Sequence, residues 1–121
     1  MKKIAIIILS DPKAGSEEAL GRVFNALASA YEFKHANEDV KIIFQGAGIR
    51  WPEQLEKEDH PVNGLYKEVK DHVHGLSKGC VAVFGTEISG YDLLNDNEVP
   101  GTPGLPSFLN LRNEGYDLLI F

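Results

Sequence analysis

Cysteine is nearly absent from this chain: Cys80 stands alone among 121 residues. A single cysteine excludes an internal disulfide and a thiolate zinc site. It leaves a reactive thiol, a buried apolar thiol or an intermolecular bridge. Basic residues are also in deficit. Twelve Lys and Arg against eighteen Asp and Glu give a formal charge of −6. A nucleic-acid backbone as main partner needs clustered cations and is excluded on that ground. Long apolar runs are missing too. The stretch from Ile4 to Leu9 falls far short of the roughly 20 residues that span a bilayer, and it has no small-residue cleavage site of the signal-peptide kind. No membrane partner and a cytoplasmic location are expected, in keeping with a reduced thiol. The four histidines, His35, His60, His72 and His74, form no HxxxH or HExxH pattern. His72 and His74 are two apart, which on a helix turns them to nearly opposite sides. Solvated histidines are the expectation, with no metal and no cofactor.

What is present fits one α/β domain over residues 1–121. Hydrophobic residues make up 43% and charged residues 25%, ordinary values for a globular chain of single-domain length. KIAIIILS (3–10) is a continuous aliphatic run without alternation, so it predicts a strand buried on both faces. DPKAGS (11–16) is a loop by its Pro and Gly. Ser16 with Glu17 and Glu18 predicts a capped helix start. Leu20, Val23, Phe24, Leu27 and Tyr31 then recur at helical spacing to about His35–Asn37. VKIIFQ (40–45) is a second strand, and GAGIRWP (46–52) a Gly-rich turn. A weak helix over 52–57, a charged loop over 56–61 and a helix over about 62–74 follow. CVAVF (80–84) is expected as the third strand. Residues 85–104 are irregular, with one helical turn near Tyr91–Leu94. A short helix over 106–113 ends before Gly115, and YDLLIF (116–121) is a fourth strand that ties the end of the chain into the sheet. Strand–helix alternation implies parallel strands joined by right-handed crossovers.

In such sheets ligands bind beyond the carboxyl ends of the strands. The loops Ser10–Ser16, Gln45–Trp51 and Gly85–Ser89 therefore form the expected site. Its candidate ligand-binding residues are Ser10, Gln45, Gly46, Gly48, Gly85, Thr86 and Glu87. Nucleotide-binding motifs fail here. GAGIRW (46–51) puts Trp51 where GxGxxG needs its third Gly, and it follows the second strand. DPKAGSEE (11–18) lacks the GKS or GKT ending, and its acids would repel phosphate. Trp51 beside Pro52 reads either as a hydrophobic anchor or as part of a pocket or subunit interface.

Taken in order, several segments resemble the DsrE/DsrF-like family of small sulfur-relay proteins. They are the aliphatic first strand, the long helix with Ala26 and Ala30, DVKIIFQGAGI (39–49), KGCVAVFGTEISGYDLL (78–94) and VPGTPGLPSFLNLRNEGYDLLIF (99–121), with its closing EGY (114–116). The resemblance implies a single-domain, three-layer flavodoxin-like (YchN-like) fold with a mainly parallel sheet. It also implies a homo-oligomer, as dimer, trimer or hexamer, and a sulfur-relay protein as partner. Members that carry persulfide sulfur hold it on a cysteine at the carboxyl end of the third strand, just before a Gly.

With CVAVF as that strand, Phe84 stands before Gly85. Cys80 then falls at the strand's amino end, away from the ligand edge, where a small buried hydrophobe is expected. Two functions follow. In one, Cys80 is the catalytic sulfur carrier, the only one the chain could have. In the other, the chain is a non-catalytic ligand-binding or assembly module working through its strand-end loops.

Overall fold

The computed structural model describes residues 1–121. Five strands form one sheet: β1 (Lys3–Ile8), β2 (Asp39–Phe44), β3 (Val73–Ser77), β4 (Leu93–Leu94) and β5 (Tyr116–Ile120). Their order is β4-β3-β2-β1-β5, and every pairing is parallel. β1 is flanked on both sides, with Ile4 opposite Val40 of β2 and Asp117 of β5. That position explains its unbroken apolar run: Ala5, Ile6, Ile7 and Ile8 are all fully buried.

The helices are α1 (Glu17–His35), α2 (Trp51–Leu55), α3 (Asn63–Val69), α4 (Lys78–Phe84) and α5 (Phe108–Asn113). Ser16 caps α1 by accepting the Ala19 N–H, with Glu17 and Glu18 in the first turn, as the sequence predicts. Alternate strand residues Ile4, Ile6, Ile8, Ile42 and Phe44 pack beneath α1, α2 and α3. Ala5, Ile7 and Ile43 face the other way, under Leu111 of α5. The chain steps outward from β1 to β4, then returns to place β5 on the far side of β1. With right-handed crossovers, that reversal sends α5 to the opposite face and makes three layers.

One expectation is overturned. CVAVF (80–84) is not the third strand but most of α4, and the third strand is VHGLS, Val73–Ser77. The helix expected over 62–74 is shorter accordingly: it ends at Val69 and passes through a 3-10 turn, Lys70–His72, into the strand. A short apolar run fits a strand or a helix equally well by pattern. Here Ser77 decides, because its side chain caps the helix. Val83 and Phe84 are then 76% and 40% exposed, instead of buried as a central strand would leave them. The turn expected near Tyr91–Leu94 is also corrected, since Leu93 and Leu94 form the edge strand β4.

Candidate functional site

The corrected strand moves the only cysteine from one end of the sheet to the other. β3 ends at Ser77 and α4 begins at once, so Cys80 lies in the first turn of α4 at the carboxyl edge. That is the edge where open parallel sheets bind their ligands. The Ser77 hydroxyl accepts the Cys80 N–H at 3.4 Å and donates to the Gly104 carbonyl at 2.8 Å. The Gly79 N–H donates to the same carbonyl at 2.7 Å. A side chain at Gly79 would run into the Pro103 carbonyl, so only glycine lets this loop close over α4.

The sulfur is held from the other side. The Gly46 N–H, from the loop after β2, donates to Cys80 Sγ at 3.1 Å. Cys80 is 6% exposed and packs with the core cluster on the α1 side. Gly46 and Cys80, both candidates from the sequence, are thus brought into direct contact. Gly48 is buried against the Ile8 carbonyl, where a Cβ would clash, and this close approach seats the loop on β1.

The remaining candidates take up different places. Ser10 receives the Trp51 indole N–H on its carbonyl at 2.7 Å and on its hydroxyl at 3.1 Å. Trp51 is buried, which makes it a hydrophobic anchor. Ser10 also borders a cavity of about 410 Å3 with Asp11, Ser16, Arg22 and Phe121, where the strand order reverses between β1 and β5. Gly85 follows α4 and donates its N–H to the Val81 carbonyl. Thr86 donates its hydroxyl to Glu53 at 3.2 Å. Glu87 is exposed and lies apart from the thiol's contacts. Gln45, at the end of β2, is 9% exposed, and its Oε1 is buried with no hydrogen-bond partner. Leaving such an acceptor unpaired costs about 1–3 kcal/mol. Its side chain borders a cavity of about 510 Å3 shared with α5 and residues 96–107.

Three residues around the thiol went unremarked in the sequence. Arg50 donates to the Phe84 carbonyl at 2.8 and 3.2 Å and to both Asp11 carboxylate oxygens at 3.3 Å. It therefore ties the loop after β1 to the last turn of α4. Ser77 and Gly104 hold the first turn. The Ser-Lys-Gly-Cys segment carries a readable cap signal at Ser77. Nothing local marks Arg50 or Gly104, whose partners are 25 to 39 positions away along the chain.

The sequence pattern of the DsrE/DsrF-like family matches residues 2–121. The chain belongs to that family. An uncharacterised protein of Methanocaldococcus jannaschii is 30% identical to it over 90 residues, 73% of each chain. No solved structure matches. Cys80 lies in the first turn of α4, just past the carboxyl end of the third strand. No group of three or more metal-ligating side chains comes together. No helix is long and apolar enough to cross a membrane.

Proposed function

We propose that this DsrE-family protein is a sulfur carrier that accepts sulfane sulfur on Cys80 and hands it to a partner protein. The observation that carries this reading is the position of Cys80 at the carboxyl edge of the sheet with the Gly46 N–H on its sulfur. A backbone donor at that distance stabilises negative charge on the attacking sulfur. In the reaction, the Cys80 thiolate attacks the outer sulfur of a donor persulfide. A new S–S bond forms on Cys80, and the donor leaves as its thiolate. The second step is the same exchange toward a partner's thiolate, which returns Cys80 to its starting form.

A second reading is favoured by one observation, the 6% exposure of Cys80. In it the thiol is a core residue, and the chain serves as a ligand-binding or assembly module without sulfur chemistry. Under the carrier reading, access to Sγ opens when the Gly46 loop and the Pro103–Gly104 segment part. Both are held to α4 by the few hydrogen bonds described above.

The two readings separate in one experiment. Native protein and Cys80→Ala are incubated with a low-molecular-weight persulfide, desalted and weighed intact. The carrier reading expects the mass of one added sulfur atom on the wild type and none on Cys80→Ala. Native wild type that stays unloaded, or equal loading on both proteins, overturns it. We also propose that the protein self-associates and that a second copy covers Val83 and Phe84, apolar side chains exposed on α4.

A further inference from the structure

The cavity of about 510 Å3 on the α5 side carries a chemistry of its own, separate from the thiol. Its walls are Val99, Leu105, Phe108 and Leu109, and its charged residues are Asp96 and Glu98. No Lys, Arg or His borders it.

Most of its polar groups are already committed to one another. Asp96 accepts the Ser107 N–H at 2.8 Å and the Asn110 side-chain amide at 2.9 Å. Asn97 donates to the Thr102 hydroxyl at 2.6 Å and accepts the Leu105 N–H at 3.3 Å. These bonds fix the shape of residues 96–107 around the cavity. The Gln45 carboxamide is different. Its residue is more than nine-tenths buried, it borders the cavity, and its Oε1 has no partner. A half-turn about its last side-chain bond exchanges the amide oxygen and nitrogen, so the oxygen can face the cavity as an acceptor once a donor is there to meet it.

A buried acceptor without a donor, beside two carboxylates and apolar walls, specifies an occupant. It must donate hydrogen bonds, carry positive charge and have an apolar body. An anion would meet Asp96 and Glu98 with no cation to offset them, and a neutral alcohol would leave Glu98 without a counter-charge. We propose that this cavity binds a small organic cation. Its ammonium group donates to Gln45 Oε1 on the side toward Glu98, and its apolar body lies against Val99, Leu105 and Leu109.

The test uses 2-phenylethylammonium as probe, with the neutral 2-phenylethanol and the anionic phenylacetate as matched controls. Binding is followed by amide NMR shifts. The ammonium probe is expected to move the Gln45 side-chain amide and the backbone amides of 98–109, and to bind at least about fivefold more tightly than either control. Gln45→Leu is expected to weaken it about tenfold, the loss of one charge-assisted hydrogen bond. Glu98→Gln, at an exposed position that leaves the fold intact, is expected to weaken it about threefold. Cys80→Ala is expected to bind as the wild type does, so failure of the carrier reading leaves this one standing. The proposal is overturned if the ammonium probe gives no shifts at tens of millimolar or shifts another region, or if a control binds equally well. Unchanged affinity in Glu98→Gln also overturns it, which keeps the test decisive even if Gln45→Leu does not fold.

Discussion

Tyr116 opens β5 and shows how one side chain couples this fold to pH. Its hydroxyl donates to Asp39 Oδ2 at 2.7 Å, joining β5 to the start of β2 across β1. The Lys41 and Lys3 ammonium groups lie 4.7 and 5.4 Å from its ring centre. Burial first, then the bond to Asp39 and the charge on that carboxylate, push the phenol up to about 12. A phenol raised in the folded state stabilises it fully below its ordinary value near 10, and that contribution is lost as pH rises through about 12. Tyr66 adds to the same trend. Burial and its bond with Tyr91, at 2.6 Å, raise its phenol as well. Urea unfolding is therefore expected to show stability falling between about pH 10 and 12. Tyr116→Phe should lose about 1–2 kcal/mol at pH 8 and show a shallower fall over the alkaline range. An equally steep fall in the variant would mean that Tyr116 does not set the slope.

At the scale of the element, α4 is the piece on which the proposed function turns. It is short, and little of it is buried beyond Cys80, so caps and loop contacts hold it in place. Ser77 supplies the cap and the link to Gly104. Ser77→Ala is expected to cost about 1 kcal/mol in urea unfolding. Because α4 can open locally, the same loss should speed iodoacetamide labelling of native Cys80 by about fivefold. Unchanged labelling at reduced global stability would show that the thiol becomes accessible by a route that leaves the cap intact. The misplacement of the third strand belongs to this scale too. CVAVF carries more apolar residues than VHGLS, yet it is the half-polar segment that enters the sheet. His74 and Gly75 dilute the strand signal in β3, whereas α4 leaves Val83 and Phe84 at the surface. Composition ranks the two segments in the wrong order, because apolar residues at the surface look the same in sequence as ones buried in a core.

At the scale of the whole molecule, exposed apolar side chains are spread over several elements, α4, β5 and the loop after β1 among them. Val83 and Phe84 lie on the first, Leu119 and Ile120 on the second, and Leu9 in the third. β5 is an edge strand, paired only with β1, and an unpaired edge invites another chain. The self-association proposed above predicts an oligomer by light scattering at micromolar concentration. Val83→Glu should shift it toward monomer without lowering the stability of the protomer. A wild-type monomer at that concentration would contradict the proposal.

Along the chain, the sequence by itself determined the α/β class, the single domain, both faces of β1, the cap of α1 and the loops at the strand ends. Each of these rests on neighbours within a few residues: an aliphatic run, a Ser followed by two acids, a Gly-rich turn. It also picked out Cys80, Gly46 and Gln45. Only the tertiary structure decided what those residues touch. It set Gly46 against Cys80 across 34 positions of sequence and left the Gln45 oxygen unpaired beside a cavity. It also turned CVAVF from a strand that hid the thiol into a helix that brings it to the carboxyl edge. The physical reason is that a short apolar run has no secondary structure of its own. Its cap at Ser77, the closure of the Pro103–Gly104 loop and the place of β3 between β2 and β4 choose for it, and two of those three come from distant parts of the chain.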